Sequence, residues 1–88
     1  MQYTLSTDAA CAVVDDGAVV LHMRTKRYYS LNETGVAIWS MLEAGRSVGE
    51  IVASLTATYE VDSVSARTAV DGMLAELAAV DLLRVGQP

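Results

Sequence analysis

Two short valine-rich runs, separated by an aspartate–glycine pair, constrain the fold of this chain most strongly. The runs cover residues 9–14 and 18–23, and Asp16 and Gly17 lie between them. An Asp-Gly pair between apolar runs is a strong signal for a two-residue β-hairpin turn, because both turn positions need positive φ. The first third of the chain is therefore predicted to form an antiparallel hairpin.

The predicted turn fixes which residues share a face of the hairpin. With Asp16 and Gly17 in the turn, Val14 lies opposite Val19 and Ala12 opposite Leu21, and opposed residues point to the same side. One face then consists of Ala12, Val14, Val19, Leu21 and Met23, and the other of Cys11, Val13, Val20 and His22. We expect the first face to be the core side.

A third strand is predicted at residues 28–31, and its orientation depends on the preceding loop. A two-residue loop would turn Tyr28 inward, whereas a three-residue loop would put Tyr29 opposite Met23, with Tyr29 and Leu31 inward. We favour the second alternative, because it leaves polar Ser30 outside. As the last strand of a meander, this strand is an edge, and its sequence YYSL contains no charge or proline that would discourage pairing with another chain.

Helix signals follow the third strand. Asn32 is a good N-cap for a helix that runs to about Ala44, and Gly45 ends it. Ser47 and Glu50 form a capping box that opens a second helix. The apolar residues expected to supply the buried faces of these two helices are Ile38, Trp39, Leu42, Ile51, Val52, Leu55 and Tyr59.

A third helix is expected from Asp62 or Ser63 to about Val80, with a short closing strand at residues 82–85. Its clearest apolar positions are Val70, Leu74 and Leu77. The predicted fold class is α+β, a three-stranded antiparallel sheet followed by three helices. A chain of 88 residues is too short for two cores, so we expect one domain over residues 1–88.

The charged and chemically reactive residues exclude several function classes. Six basic against eleven acidic residues give a net charge of -5, which argues against nucleic acid and anionic membranes. Cys11 and His22 are the only residues of their types, so a disulfide framework and a cysteine zinc site are excluded. They share a face of the hairpin, but no third group orients them as nucleophile and base. No catalytic residue, metal site or cofactor is predicted.

The remaining composition indicates a cytoplasmic protein. The first residues have no basic start followed by an apolar run, so no signal peptide is expected, and no apolar run reaches membrane-spanning length. Arg24, Lys26 and Arg27 form a basic cluster before the third strand, either as a solvated hairpin tip or as a contact for acidic residues of a partner. Arg67, Asp71 and Leu74 form one stripe on the third helix.

Two segments and their spacing resemble the PqqD-like family of recognition elements for ribosomally made, modified peptides. The residues that carry the resemblance are 28–35 (YYSLNETG), Ile38, Trp39, 45–52 (GRSVGEIV), Leu55 and Tyr59. The resemblance covers about residues 9–85, and it is greatest for the free-standing proteins of lasso-peptide pathways. Residues 25–27, Thr-Lys-Arg, depart from the Pro-Glu-Gly turn more common in PqqD itself.

The resemblance implies a winged helix-turn-helix-like fold and a non-catalytic adaptor function. In the family, the leader of a precursor peptide adds as a strand to the edge of the third strand, in a groove completed by the third helix. The peptide-binding residues that it implies here are Arg27, Tyr28, Tyr29, Ser30, Leu31, Arg67, Val70, Asp71 and Leu74.

The implied partners are the precursor leader, a separate cysteine-protease subunit that removes the leader, and the cyclase downstream. The outer face containing Val13, Val20 and His22 is the expected docking surface for the peptidase. Two alternatives stay open. One is a PqqD-type peptide chaperone for another modifying enzyme, and the other is a winged-helix DNA-binding regulator, for which the third helix offers only Arg67 among the usual base-reading and phosphate-reading side chains.

Overall fold

Five strands and three helices make up the part of the chain that the structure, a computed structural model, describes, which is residues 2–86. The elements are β1 (Gln2–Leu5), β2 (Ala9–Val14), β3 (Gly17–His22), β4 (Tyr28–Leu31), α1 (Glu33–Glu43), α2 (Val48–Thr58), α3 (Ser63–Ala79) and β5 (Leu83–Gly86). Strands β2, β3 and β4 form an antiparallel sheet in that order. The predicted three-stranded sheet followed by three helices is therefore confirmed.

A separate two-stranded ribbon joins the two ends of the chain. Strand β1 pairs antiparallel with β5, so that Tyr3 lies opposite Val85 and Leu5 opposite Leu83. The closing strand was predicted, but β1 was not, because its partner strand lies at the far end of the chain.

The hairpin turn lies one residue earlier than predicted. Val14 pairs with Gly17 and Ala12 with Val19, so Asp15 and Asp16 form the turn. Neither aspartate has positive φ, and neither does Gly17. The prediction that the turn needs a glycine for its positive φ was therefore wrong. Gly17 is needed for a different reason: a Cβ built on it would lie 1.8 Å from the Leu31 carbonyl oxygen, because β4 passes directly beside it.

The core side of the hairpin is the opposite of the predicted one. Ala18, Val20 and His22 on β3 are buried, whereas Val14 is 51% exposed. Both faces of the hairpin are apolar, so alternation alone does not decide which one receives the helices. Because Val20 and His22 belong to the core, the predicted peptidase-docking surface that contained them is also wrong.

Strand β4 has the predicted orientation but a different register. Tyr29 lies opposite Val20 rather than Met23, and Leu31 lies opposite Ala18, so both Tyr29 and Leu31 point to the core side. The loop before β4 is longer than predicted, and Lys26, with φ of 66°, takes the left-handed position that usually favours glycine. The prediction chose the wrong buried face of β3 and also a loop that was too short. The two errors offset each other, so that Tyr29 and Leu31 were still predicted to point to the core side.

The predicted helix ends are confirmed. The Asn32 side chain accepts a hydrogen bond from the Gly35 N–H at 2.8 Å, and Gly45 has φ of 79° after α1. Ser47 and Glu50 exchange the two hydrogen bonds of a capping box, at 2.9 and 3.1 Å. The helices cover one side of β3 and bury Ile38, Trp39, Leu42, Ile51, Leu55, Ala66, Val70, Met73, Leu74 and Leu77.

Candidate functional site: the edge of β4 and the groove beside α3

The edge of β4 has backbone groups available for another strand. The His22 N–H donates to the Arg27 carbonyl at 2.7 Å, and in an antiparallel pair such hydrogen-bonded positions alternate along the strand. Tyr29 and Leu31 therefore pair with β3, whereas the N–H and C=O groups of Tyr28 and Ser30 point away from the sheet. No described strand lies on this side of β4.

A groove of about 820 Å³ lies between β4 and α3. The residues that line it are Asp16, Tyr29, Ser30, Leu31, Asn32, Thr34, Gly35, Ile38, Val61, Thr68, Ala69, Gly72, Met73 and Glu76. Leu31, Ile38 and Met73 also belong to the buried core, so the base of the groove is apolar. The free backbone groups of β4 run along one rim.

One stripe of α3 forms the opposite side of the groove. Thr68, Ala69, Gly72, Met73 and Glu76 are spaced at i, i+1, i+4, i+5 and i+8, which places them on a single face of the helix. A Cβ built on Gly72 would meet no atom within 4 Å. The helix therefore contributes mostly short side chains, and the groove is open where Ala69 and Gly72 lie.

A tyrosine–glutamate hydrogen bond links β4 to α3 at this site. The Tyr29 hydroxyl donates to the Glu76 carboxylate. Burial of the ring, together with this hydrogen bond and the negative charge of Glu76, raises the pKa of Tyr29 to about 12. The hydroxyl therefore stays protonated throughout the neutral pH range and can keep donating to Glu76.

The structure places the residues predicted for peptide binding in different surroundings. Tyr29, Ser30 and Leu31 line the groove, while Tyr28 lies on the other face of the sheet and is 67% exposed, and Arg27 precedes the strand. On α3, the residues expected at the groove do not line it. Val70 and Leu74 are buried in the core, and Arg67 instead donates to Asp71 at 3.0 Å on the exposed surface.

The predicted α3 residues missed the groove for two reasons. Val70 and Leu74 lie on the apolar side of the helix, which packs into the core, and Arg67 and Asp71 lie on its exposed side. The adjacent stripe is less apolar and gives no periodic signal. Gly72 is the one sequence clue to it, because a glycine inside a helix costs about 0.5–1 kcal/mol relative to alanine and often has a packing or binding reason.

Cys11 and His22 do not form a nucleophile–base pair. Cys11 lies opposite Val20 and is exposed, whereas His22 is buried opposite Ala9. Partial burial and the nearby Glu43 raise the pKa of Cys11, which lowers the fraction of reactive thiolate. The chemistry of this pair therefore offers no activated thiol.

His22 has a structural role at the turn before β4. Its Nδ1 atom accepts from the Arg24 and Thr25 backbone N–H groups at 3.3 Å each, and its Nε2 atom lies 3.6 Å from the Asp81 carboxylate. Arg24 also binds Asp81 at 2.8 Å. These contacts fix the turn to the end of α3, so part of the basic cluster is held by an internal ion pair.

Two features are absent from residues 2–86, the part of the chain that the structure describes. No group of three or more histidine, cysteine or acidic side chains is placed to hold a metal ion. None of the three described helices has the length and hydropathy needed to cross a membrane.

Comparisons with known proteins point to one family. The family model "Coenzyme PQQ synthesis protein D (PqqD)" matches residues 17–83. The structure of TbiB1 in complex with the TbiA(beta) leader peptide is 34% identical, with a TM-score of 0.86, over 96% of this chain and 98% of that one. The structure of lasso peptide synthetase B1 complexed with the leader peptide is 26% identical, with a TM-score of 0.88, over 97% of this chain and 100% of that one. No curated protein sequence matches.

Proposed function

This chain belongs to the PqqD family, and from that membership we propose that it is a non-catalytic adaptor that binds the leader of a precursor peptide in lasso-peptide biosynthesis. The observation that carries the proposal is the open edge of β4 beside an apolar groove. Two similar proteins, TbiB1 and a lasso peptide synthetase B1, have been solved with leader peptides bound, which supports the same ligand class here.

We propose that the leader binds as an additional strand along β4. The outward N–H and C=O groups of Tyr28 and Ser30 would pair with the backbone of the leader. Alternate side chains of a strand point to the same face, so every second leader residue would enter the groove. There it would meet Met73 at the apolar base and the space above Gly72. Backbone pairing would supply affinity, and the groove would select side chains.

Replacing Ser30 by proline tests strand addition at this edge. Proline removes the outward N–H and places its ring where the leader backbone would lie, while the paired N–H groups of Tyr29 and Leu31 remain. The loss of one or two backbone hydrogen bonds, each worth about 0.5–1.5 kcal/mol, predicts about 2- to 160-fold weaker binding.

Binding is measured by fluorescence anisotropy with two labelled peptides. One is the leader of the precursor peptide encoded nearest to the gene of this protein, and the other is the TbiA(beta) leader. Ser30→Ala is the matched control, because it keeps the N–H group and should bind as the wild type does. If Ser30→Pro folds and binds the leader with unchanged affinity, strand addition at this edge is wrong.

A second pair of variants tests the helix side of the groove. Ala69→Leu would fill the groove from α3 and should abolish leader binding, because a strand could no longer lie against the helix. Arg67→Ala should leave the affinity unchanged, because the Arg67 guanidinium is occupied by Asp71 outside the groove. If Ala69→Leu binds the leader normally and Arg67→Ala does not, the leader binds at Arg67 and Asp71 instead of in the groove.

We further propose that the adaptor delivers the bound leader to a separate cysteine-protease subunit, with the cyclase acting afterwards. Purified peptidase should cleave the precursor faster when the adaptor is added, and Ser30→Pro should lose this acceleration. Acceleration of another modifying enzyme, with none of the peptidase, would favour the PqqD-type chaperone alternative.

A further inference from the structure

We propose that the edge of β2, on the opposite side of the sheet from β4, is a second docking site, and that it takes an apolar strand with lysine or arginine at its ends from a partner protein. The site goes beyond leader binding and does not depend on it. On the proposed function, the enzyme that receives the leader would be such a partner.

Strand β2 is an open edge with nothing in its sequence that discourages pairing. It lies at one end of the sheet order and runs from Ala9 to Val14, without a charge or a proline. The pair of Val14 and Gly17 closes the two-residue turn and is hydrogen-bonded, so by alternation Cys11 and Val13 direct their N–H and C=O groups away from the sheet. Uncovered edges of this composition are templates for another strand.

The core beneath β2 is also incomplete. Val13 lies opposite Ala18 and on the same face, yet Val13 is 79% exposed and Ala18 only 1%. Along β2, Ala9 is half-buried and every later residue is exposed. The sheet therefore extends past the helices at β2 and leaves a core-facing row of apolar side chains uncovered. An added strand with apolar residues at alternate positions would cover this row.

The charges around β2 define the chemistry of the partner. Asp15 and Asp16 lie at its end, and Glu33 lines the same surface recess of about 340 Å³ as Val13. Glu43 is close enough to Cys11 to raise the pKa of its thiol, after the larger effect of burial. None of these four carboxylates takes part in an ion pair among the described residues. Cations at the ends of the incoming strand would complement them.

A second copy of the chain fits this edge less well. A two-fold pairing centred on Ala12 would join the outward groups of Cys11 in each copy to those of Val13 in the other, and would set Asp16 of each copy opposite Asp8 of the other. Like charges directly opposite each other destabilise a strand pair. Each copy also carries a net charge of -5, which opposes association. We therefore expect the strand that pairs with β2 to come from a different protein with basic residues at the ends of that strand.

The test uses a short synthetic peptide of alternating valine and threonine between pairs of lysines, and a twin peptide with glutamates in place of the lysines. Amide chemical shifts of the ¹⁵N-labelled full chain are followed by NMR during titration. We expect the lysine peptide to shift the amides of Cys11 and Val13 and to protect them from hydrogen exchange. The glutamate peptide should shift neither.

Val13→Pro removes one outward N–H group of β2 and should abolish the response to the lysine peptide, whereas the matched control Val13→Thr should keep it. Both variants should bind the leader as the wild type does, which shows that β4 and the helices are intact. If the lysine peptide leaves β2 unchanged, or if Val13→Pro keeps the response, the proposal is overturned. Sedimentation of the chain alone as a dimer that Val13→Pro dissociates would overturn it in favour of a second copy.

Discussion

Gly72 is the position where stability and leader binding should respond in opposite directions. The residue lies inside α3 and lines the groove, and a Cβ there would meet no atom within 4 Å. Alanine is favoured over glycine in a helix interior by about 0.5–1 kcal/mol. We therefore expect Gly72→Ala to raise the free energy of unfolding by that amount, which corresponds to a rise in Tm of about 2–8 °C for a domain of this size.

The same methyl group should weaken leader binding. It would occupy the part of the groove that is open opposite β4, where a bound strand has to pack. Extra atoms in a packed site cost about 1–3 kcal/mol, or about 5- to 150-fold in Kd. Thermal unfolding followed by circular dichroism measures the first effect, and leader anisotropy measures the second.

Gly49→Ala is the control for this comparison. It lies in α2, outside the groove, and its Cβ would meet only the Ser47 Oγ atom at 3.9 Å. Gly49→Ala should stabilise the fold and leave leader affinity unchanged. If Gly72→Ala is stabilised and still binds the leader as tightly as the wild type does, the reasoning that the leader occupies this part of the groove is refuted.

Three further changes test the fold around the site. Gly17→Ala places a Cβ 1.8 Å from the Leu31 carbonyl oxygen and should lower the free energy of unfolding, measured by urea denaturation, by about 1–3 kcal/mol. A urea midpoint equal to that of the wild type would contradict this close approach. Tyr29 has a pKa raised to about 12 from 10.0, so the stabilisation from its protonated hydroxyl at Glu76 is present below about pH 10 and lost towards about pH 12. In urea unfolding at different pH values, Tyr29→Phe should therefore lose less free energy of unfolding between about pH 10 and pH 12 than the wild type does. Equal losses in both proteins would contradict this role of the Tyr29 hydroxyl. Ser47→Ala removes a helix cap and should lower Tm by the equivalent of about 1 kcal/mol; an unchanged Tm would show that the cap contributes nothing.

Local signals predicted the helices and the strand order, but not the packing of the hairpin. A cap such as Asn32 or Ser47 acts on N–H groups three residues away, so the sequence itself contains both partners. The buried face of β3 depends instead on which side the helices cover. Val20 and Val19 are equally apolar, and only tertiary contacts bury the first more deeply than the second. The position of Gly17 likewise depends on β4, a strand that is distant in sequence.

The β4 side of the candidate site could be predicted from the sequence, whereas the α3 side could not, because only the α3 side depends on tertiary packing. The β4 side follows from strand order, because the last strand of a meander has a free edge whatever its register. The α3 side depends on the rotation of the helix about its axis. Val70 and Leu74 are its strongest apolar positions and are used by the core. The groove is lined by the neighbouring stripe, in which short side chains such as Ala69 leave space and therefore produce no apolar period.

The two open edges differ in their surroundings, and this difference predicts simultaneous binding. The edge of β4 faces α3 across a groove, which admits a single extended peptide, whereas β2 is exposed on both faces and admits the edge of a folded sheet. Occupants of both edges would lie four strand spacings apart, or about 19 Å at about 4.8 Å per spacing, with the β2–β4 sheet between them. Backbones at that distance cannot compete for the same atoms. The leader should therefore bind with the same Kd, within about twofold, whether or not the lysine peptide saturates β2. Displacement of the leader by the lysine peptide from both the wild type and Val13→Pro would mean that both ligands use the edge of β4, and the assignment of separate occupants would be wrong.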